Sequence, residues 1–388
     1  MRLKFAFGNS NVGESVDKEL YSSDENGYIF YTAGANPVKT SYTEFPMWKY
    51  TTDNDILLAR NGTPYIYLPS KDAVYSDHII RINIKDGYCR RFLRYCLQRS
   101  IESIIVDSVS IATWSISLWK EQKLPLPYYH EQKYLADYLD SKCSKIDEII
   151  ERQQAIIEKL KEYKLSIITE AVTSGINPDV EMKDSGSVWF GSIPTNWEMK
   201  RLKYVFHIQK DIAGEEGHTV LSITQKGIIP KDFSNNEGQF ANSYANYQLV
   251  HKGDFAMNHM DLLTGWVDIS KYEGVTSPDY RVFVLNDKNG MCPEYYLYMM
   301  QMCYSARIFY GLGQGVSGMG RWRLQADKFL NFHIPIPPYD EQKIIADYIT
   351  DKVNHIEVEI DKRNKLVEKY QEYKKSLIYE VVTGKKEV

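Results

Sequence analysis

One segment of this sequence occurs twice. Residues 124–174 align without a gap with residues 334–384, at a constant offset of 210 positions, and 22 of the 51 aligned positions are identical. Two helices that share only an apolar period would not share so many identities. The chain therefore contains two copies of one unit, and its fold must hold this segment in two equivalent places.

The repeat extends more weakly toward the N-terminus. LKFAF at 3–7 matches LKYVF at 202–206, and NDILLA at 54–59 matches GDFAMN at 253–258, both at an offset of 199. The second unit thus carries about eleven extra residues before the strongly repeated segment. A period near 200 residues is far too long for a solenoid. It predicts two globular regions related by pseudo-two-fold symmetry, an arrangement suited to a target with two parts.

Each strongly repeated segment is predicted to form one long helix. Neither Pro nor Gly occurs at about 130–173 or at about 340–383, and the LPLP and IPIP sequences before them favour an extended lead-in. Asp340 is a candidate N-cap, and Gly175 and Gly384 are candidate C-terminal stops. About 43 residues at 1.5 Å each give a helix of roughly 60 Å.

The two long helices are predicted to pair with each other as an antiparallel coiled coil. Mostly apolar residues recur at alternating spacings of three and four, the pattern of a coiled-coil seam. The seam positions are Leu139, Lys142, Ile146, Ile149, Gln153, Ile156, Leu160, Tyr163 and Ile167 in the first helix, and Val353, Ile356, Ile360, Arg363, Val367, Tyr370, Lys374, Leu377 and Val381 in the second. The polar pair Gln153 and Arg363 would fix the register. Two ordinary amphipathic helices, each packed on its own domain, are the alternative.

Both globular regions are predicted to be α/β domains with short strands. Strands are expected at 54–59, 65–68, 73–84, 220–224, 252–258 and 279–286, and helices at 90–101 and 293–305. The fold class is therefore α+β (mixed): two α/β domains separated by two long antiparallel coiled-coil helices. The predicted divisions are a first domain at 1–123, a central helix at 124–175, a connector at 176–201, a second domain at 202–333 and a C-terminal helix at 334–388.

The bulk composition restricts the class of protein. No run of 18 apolar residues occurs, and MRLKFAFGNSNVGES is a poor signal peptide, so a cytoplasmic protein without a membrane span is expected. The five cysteines lack CxxC spacing, which favours reduced thiols without zinc. The net charge is −4 and no segment is strongly basic. Contact with DNA would therefore need basic residues focused on one face or supplied by a partner.

The sequence contains no recognisable catalytic motif. It has no Walker A motif, no [DN]-P-P-[YF] motif of amino-methyltransferases and no PD…(D/E)xK nuclease pattern. GLGQGVSG at 311–318 is not set between a strand and a helix of a βαβ unit, so it is not a dinucleotide fingerprint. His207, His218, His251 and His259 lack metal-ligand spacing. We therefore expect no catalytic residue, cofactor or metal in this chain.

Several motifs, taken in order, resemble the specificity subunit of type I restriction–modification systems. IPIPPYDEQKIIADY and its earlier copy, each at the start of a long helix, carry this resemblance. So do WFGSIPTNWEMKRLKYVF at 189–206, the Gly253–Asp254 pair before a strand, and GQGVSGMGRWRLQADKFLNFHIPIPP at 313–338. The match covers nearly the whole chain, and its duplicated layout is specific, although each short motif alone is weak.

The resemblance implies a non-catalytic DNA-binding subunit. Two target-recognition domains would each read one half of a bipartite DNA target in the major groove. The helices would hold the domains at a fixed distance and dock two methyltransferase (M) subunits, which would bind S-adenosylmethionine; restriction (R) subunits are a further partner class. The first unit departs from the family pattern, since it starts almost directly at Leu3–Phe7 without a G-x-I-P-x-x-W lead-in. Either this domain uses a shorter N-terminus or the start site is misplaced.

Polar residues in loops are the candidates for DNA contact. Base edges are read by Arg or Lys at guanine, Asn or Gln at adenine, and Asp or Glu at cytosine. The first-domain candidates are Lys39, Thr40, Tyr42, Arg60 and Asn61, and the second-domain candidates are Asn258, His259, Asp261, Gln314, Ser317, Arg321 and Arg323. The alternative is that most of them are solvated loop residues.

Two other functions compete with DNA specificity. A coiled-coil scaffold without DNA binding would agree with the balanced charge, but not with diverged polar loops on a duplicated fold. A self-sufficient methyltransferase or nuclease would need the motifs that the sequence lacks. Binding of a split DNA target would exclude the scaffold, and cofactor binding by the isolated chain would favour the enzyme.

Overall fold

The protein consists of two compact units. One is assembled from the two terminal parts of the chain, and the other from the middle part. The computed structural model describes residues 1–22, 27–101, 114–123, 126–233, 241–315 and 322–388. One unit is made of Met1–Ala155 together with Arg363–Val388, and the other of Ile156–Lys362. Each of the two long helices therefore begins in one unit and ends in the other.

The first globular domain is built on a four-stranded antiparallel sheet. Its strands are β1 (Phe7–Val12), β2 (Tyr21–Ser22), β3 (Tyr28–Tyr31), β4 (Val38–Thr40), β5 (Asp55–Ala59), β6 (Ile66–Tyr67), β7 (Val74–Tyr75) and β8 (Ile79–Ile84), and its helices are α1 (Arg90–Ser100) and α2 (Ile116–Lys120). The main sheet has the order β1-β8-β5-β6, and a smaller sheet has the order β2-β4-β3-β7.

The central strand β5 is buried on both faces. Ile56 and Leu58 point into the core that α1 covers, whereas Leu57 and Ala59 point into a second apolar cluster on the other face. The stretch at 73–84, predicted as one strand, is instead the two strands β7 and β8. A turn closed by the hydrogen bond that the N–H of Ile79 donates to the Ser76 carbonyl (2.9 Å) separates them.

In the part of the chain that the structure describes, the second globular domain has more strands than the first. Its elements are β9 (Met182–Asp184), β10 (Ser192–Pro194), β11 (Glu198–Arg201), β12 (Phe206–Gln209), β13 (Leu221–Thr224), β14 (Gly227–Pro230), β15 (Gln248–Val250), β16 (Phe255–Met257), β17 (Val267–Ile269), β18 (Gly274–Thr276), β19 (Arg281–Leu285), α4 (Pro293–Ser305), α5 (Ile308–Leu312), β20 (Gln314–Gly315), β21 (Trp322–Arg323), α6 (Ala326–Asn331) and β22 (His333–Ile336). Its main sheet has the order β12-β19-β16-β17.

The two main sheets share one topology, which confirms the predicted duplication of a mixed helix-and-sheet fold. Order β12-β19-β16-β17 repeats order β1-β8-β5-β6, and each sheet is followed by a helix, α4 or α1. The register is also shared, because Phe206 pairs with Leu285 as Phe7 pairs with Ile84. In β16, as in β5, alternate residues enter different apolar clusters.

The segment 176–201 is part of the second unit and not a separate connector. Strand β11 pairs with β22, which contains most of the IPIP sequence. This sequence is therefore extended, as its prolines predicted. Phe190, Ile193 and Trp197 lie in the main core of this unit. Gly186 and Gly191 have positive φ values and lie between short strands, which is why the composition resembled a linker. The corresponding LPLP sequence lies partly outside the described residues.

The long helices α3 (Tyr129–Ser174) and α7 (Tyr339–Val382) agree with the prediction to within one residue at each end. Asp340 lies inside the first turn of α7 and is therefore not the N-cap, although its charge still favours the positive end of the helix dipole. Gly175 and Gly384 have φ values of +77° and +70°, as helix stops in the left-handed region require.

The helices α3 and α7 pack against each other in each unit, which confirms their predicted pairing. In the first unit, Cys143 and Ile146 share a core with Leu377 and Ile378. In the second unit, a cluster contains Ile157, Ile167, Ile356 and Ile360. Rising numbers in α3 meet falling numbers in α7, so the pair is antiparallel. Each helix also joins the core of a globular domain, so the two arrangements treated as alternatives coexist.

The polar positions of the seam meet each other. Arg363 Nη1 donates a hydrogen bond to Gln153 Oε1 at 2.7 Å within the first unit. These two residues are 210 positions apart, so they are equivalent positions of the two repeats. A pair of this kind penalises any slip of one helix along the other, because a slip would leave both groups without a partner.

The seam of α7 lies where the sequence placed it, but the seam of α3 does not. Val353, Ile356, Ile360, Val367, Tyr370 and Leu377 are all buried or half-buried on the packed side of α7. In α3, Leu139, Ile146, Leu160 and Ile167 face the packed side. Ile149, Ile156 and Tyr163 lie beside it, and Ile150, Ile157 and Lys164 take their places.

The cause of this error is local ambiguity in the apolar pattern. Adjacent isoleucines at 149–150 and 156–157 both fit a spacing of three or four, and Tyr163 is 57% exposed. The offset of 210 resolves the choice, because Ile360 and Val367 of α7 correspond to the second isoleucine of each pair.

Candidate nucleic-acid interface

The turn after β5 brings three polar side chains together at one end of the first domain's sheet. Arg60 Nη1 donates to the carbonyl oxygen of Asp77 at 3.5 Å, and Asn61 Nδ2 lies 2.9 Å from Nδ1 of His78. Both candidates are half-buried. His78 joins them because β8 starts beside the end of β5, which the sequence alone did not indicate.

The other first-domain candidates lie in and after a strand. Thr40 is completely buried, and its hydroxyl donates to the Leu20 carbonyl oxygen at 3.0 Å. Tyr42 packs edge-on against Phe45, with 4.8 Å between ring centroids. Both side chains therefore stabilise the small sheet, and Thr40 cannot reach DNA. The segment resembled a polar loop because β4 ends there. Lys39 lies within β4 and is half-buried.

In the second domain, two candidates shape the turn that follows β16. Asn258 Oδ1 accepts hydrogen bonds from the N–H groups of Met260 (3.2 Å) and Asp261 (3.3 Å). Asp261 Oδ1 in turn accepts from the N–H groups of Leu263 and Thr264, both at 3.0 Å. Asn and Asp side chains stabilise turns in this way. The shape of the turn, more than base reading, accounts for these two residues.

His259 is buried beside a cavity and not exposed in the turn. The cavity measures about 330 Å³ and is lined by Ile208, Lys210, Gln248, His259, Pro278, Tyr280, Arg281, Arg323, Gln325 and Ala326. His259 is only 6% exposed. Burial, together with the positive charges of Arg281, Arg323 and Lys210, lowers the pKa of His259 to about 3, so its imidazole is neutral near pH 7.

The candidates from the sequence did not include Arg281 and Lys210, two cationic residues of this cavity. Arg281 is the buried one of the two. It begins β19, is 5% exposed, and donates from Nη2 to the Leu324 carbonyl oxygen at 2.8 Å. Burial lowers its pKa to about 10, so it stays charged. An arginine at the start of the otherwise apolar RVFVL strand is the signal that could have identified it. Arginine is rarely buried unless its charge has a partner.

The remaining candidates lie at the loop before the second long helix. Gln314 and Arg323 pair across the short β20–β21 ladder, and both are exposed. Gln325 Nε2 donates to Gln314 Oε1 at 2.8 Å. Ser317 and Arg321 lie outside the described residues.

A pair of glutamines explains why the E-Q motif occurs twice. Gln132 Oε1 accepts a hydrogen bond from the N–H of Cys89 at 2.9 Å, and Gln342 Oε1 accepts one from the N–H of Cys292 at 3.0 Å. Each glutamine also donates to a proline carbonyl oxygen five residues earlier, at 2.8 and 2.9 Å. Both side chains are buried. They attach the start of each long helix to the start of α1 or α4.

All five cysteines are buried free thiols. Over the ranges that the structure describes, no cluster of three His, Cys, Asp or Glu residues could hold a metal ion. Across those same ranges, no helix is both long and apolar enough to cross a membrane.

A mixed α/β domain present twice, with polar turns at the sheet ends and paired long helices, defines a protein with two equivalent recognition domains. The family model described as "Type I restriction modification DNA specificity domain" matches residues 7–163 and 194–369, one match in each repeat. The chain belongs to this family. Members of the family are DNA-recognition components of type I restriction–modification systems and do not perform the catalysis.

Individual relatives agree with this assignment. The chain is 25% identical over 358 residues to the type I restriction enzyme MjaVIII specificity subunit of Methanocaldococcus jannaschii, covering 86% of this chain and 79% of the relative. It is 21% identical over 326 residues to the EcoBI specificity subunit of Escherichia coli, covering 74% and 66%. A solved structure of the type I R-M system, described for its complex assembly and conformational transition, shares the fold with a TM-score of 0.68 at 12% identity, covering 99% and 97%.

Proposed function

We propose that each globular domain of this specificity subunit reads one half of a bipartite DNA target. The observation that carries the proposal is one sheet topology used twice with different residues at the equivalent turn. At the offset of 199, Arg60 of the first domain aligns in sequence with His259 of the second. Two domains with the same sheet topology and different contact residues suit two half-sites of different sequence. Arg60, Asn61 and Lys39 in the first domain, and Gln314 and Arg323 in the second, are the proposed contacts.

The long helices set the spacing of the half-sites and dock two M subunits in this proposal. The ion pairs of the helices support it, because Asp147 with Lys374 and Glu357 with Lys164 are equivalent pairs in the two repeats. So does surface composition: Tyr163 and Tyr373, 210 positions apart, are 57% and 52% exposed. Two similar exposed surfaces suit two copies of one partner.

The partners supply the chemistry in this scheme. The M subunits bind S-adenosylmethionine and transfer the methyl group, R subunits are a further partner class, and the complex acts in the cytoplasm on double-stranded DNA. The chain itself contributes binding energy and geometry.

The experiment that tests bipartite recognition is methylation sequencing of genomic DNA from cells with and without the gene. A split, adenine-methylated motif is expected to appear with the gene and to vanish without it. Exchanging residues 1–123 for the first domain of another specificity subunit is expected to change one half of that motif completely and leave the other half intact. A change in both halves, or in neither, would contradict the modular arrangement.

Helix length tests the proposed control of spacing. Inserting one heptad after Gln153 and one after Arg363 preserves the seam and adds about 10 Å to each helix at 1.5 Å per residue. At about 3.4 Å per base pair, the unread spacer of the methylated motif is expected to lengthen by about three base pairs. Inserting seven residues into the exposed turn 286–290 is the control and should leave the spacer unchanged. An unchanged spacer after the helix insertions would exclude the helices as the ruler.

A further inference from the structure

The cavity beside His259 concentrates positive charge. Lys210, Arg281 and Arg323 line it, and the described lining contains no Asp or Glu. Lys210 and Arg323 are exposed at the surface, whereas Arg281 lies inside. Cations gathered without acidic partners repel one another, so this arrangement favours an anion supplied from outside.

Two buried polar atoms at this cavity have no hydrogen-bond partner among the described residues. Arg281 Nη1 and His259 Nδ1 are both buried, and neither makes a hydrogen bond within the residues that the structure describes. Both side chains are more than nine-tenths buried. A buried guanidinium N–H without an acceptor is costly, and native structures contain few such groups. The unused donor of Arg281 therefore indicates a missing acceptor.

The chemistry of the lining separates two kinds of acceptor that DNA offers. A base edge presents both donors and acceptors, and guanine is satisfied by a single Arg or Lys. Here two arginines and a lysine converge, and all of them can only donate. Convergent donors with positive charge match the oxygens of a phosphate, which can also accept a bidentate arginine.

We propose that this cavity of the second domain is a seat for one phosphate of the DNA backbone, held by Arg281, Arg323 and Lys210. The proposal rests on the proposed DNA-binding function and deepens it, because it assigns these residues to positioning and not to base reading. Arg281 stays in place through its hydrogen bond to the Leu324 carbonyl oxygen. The seat would fix the second domain on the duplex before its loops reach the bases.

The first domain carries no arginine at the position equivalent to Arg281, which is among its described residues. Strand pairing places Ile80 of β8 opposite Leu58, as it places Arg281 of β19 opposite Met257, so Ile80 is the equivalent of Arg281. Ile80 is buried and apolar. The buried arginine is therefore specific to the second domain at this position of the shared sheet.

The test measures binding of the full chain, in complex with its M subunit, to two duplexes. One duplex carries the methylated motif, and the other is a random sequence of equal length. Arg323→Ala and Arg281→Met are each expected to weaken binding roughly tenfold on both duplexes and to lower the salt-dependence slope by about one, as loss of a phosphate contact does. Lys288→Ala, which removes a surface cation beyond the opposite end of β19, is the matched control and is expected to change affinity less than twofold.

A methylphosphonate scan of the duplex identifies the ligand group. Replacing one particular phosphate with an uncharged methylphosphonate should weaken the wild type, and should weaken the Arg323→Ala and Arg281→Met proteins no further. Arg323→Ala alters an exposed side chain, so it remains informative if Arg281→Met fails to fold. Losses confined to the motif duplex would assign the cavity to a base, and losses no larger than that of Lys288→Ala would remove it from DNA binding; either result overturns the phosphate seat. If the wild type shows no preference for the motif duplex, the proposed function itself fails.

Discussion

The two recognition domains are alike where they are packed and unlike where their strands end. Phe7 and Phe206 occupy equivalent positions in the two sheets, and both are buried. After strands β5 and β16, Arg60 of the first domain corresponds to His259 of the second. Near the starts of β8 and β19, Ile80 corresponds to Arg281. A close-packed interior restricts the size and shape of its side chains, whereas a turn at a sheet edge tolerates exchange. Recognition can therefore change at the edge while the frame persists.

An aspartate at the start of the central strand is buried in both domains but has different hydrogen-bond partners in each. Asp55 of β5 contacts Arg81 Nε at 2.8 Å and accepts from Asn83 and from the N–H of Thr52. Its equivalent, Asp254, accepts from the N–H of His251 at 2.8 Å. Both residues close the turn before a central strand, but the first also neutralises a nearly buried arginine.

The largest expected effect follows from this difference. Asp55→Ala should lower the free energy of unfolding of its domain by about 3 to 4 kcal/mol, because Arg81 loses its buried counter-charge. Asp254→Ala should cost about 1 to 2 kcal/mol, because one backbone N–H loses its acceptor. Urea titration with hydrogen exchange of peptides from each domain measures both values. Equal losses would show that Arg81 contributes little.

The second prediction concerns Gln132 and Gln342, where the frame is the same in both copies. Gln132→Leu and Gln342→Leu should each cost about 2 to 3 kcal/mol, because each leaves a buried N–H and a proline carbonyl oxygen without a partner. Exposed Gln371→Leu is the control and should cost less than about 0.5 kcal/mol. Hydrogen exchange in α1 and α4 reports the two losses separately, and clearly unequal losses would show that the copies do not share this device.

The smallest of the three effects is a pH dependence confined to the second domain. The pKa of His259 is about 3 in the folded protein and near 6.5 ordinarily, so the unfolded chain takes up the proton first as the pH falls. The associated stability is present above about pH 6.5 and is lost between about 6.5 and 3. Between pH 7.5 and 5 the wild type should lose about 2 kcal/mol more than His259→Gln. Parallel pH profiles for the two proteins would refute this account.

The helices were the most predictable part of the fold. Long stretches without Pro or Gly determine α3 and α7 almost to the residue, because helix formation depends on local backbone restrictions. The seam of α3 was less predictable, since adjacent isoleucines fit the same spacing and only packing against α7 selects one of them. The segment at 176–201 was misjudged for a related reason: whether Trp197 is covered depends on elements distant in sequence.

The candidate site was predictable only in its location. Polar residues at the end of a strand indicated the turns that hold Arg60 and His259. The role of each side chain depends on neighbours brought in by other strands, as Thr40 shows through its bond to Leu20 and Arg281 through its bond to Leu324.

The sequence by itself determined the duplication, the two long helices and the presence of a helix after the predicted strands of each domain. These properties depend on residue identity at fixed spacings, which one chain records directly. The tertiary structure alone decided which face of α3 is buried, that 176–201 belongs to the second core, and that three cations meet around His259. Such properties depend on contacts between residues far apart along the chain, and no local pattern encodes them.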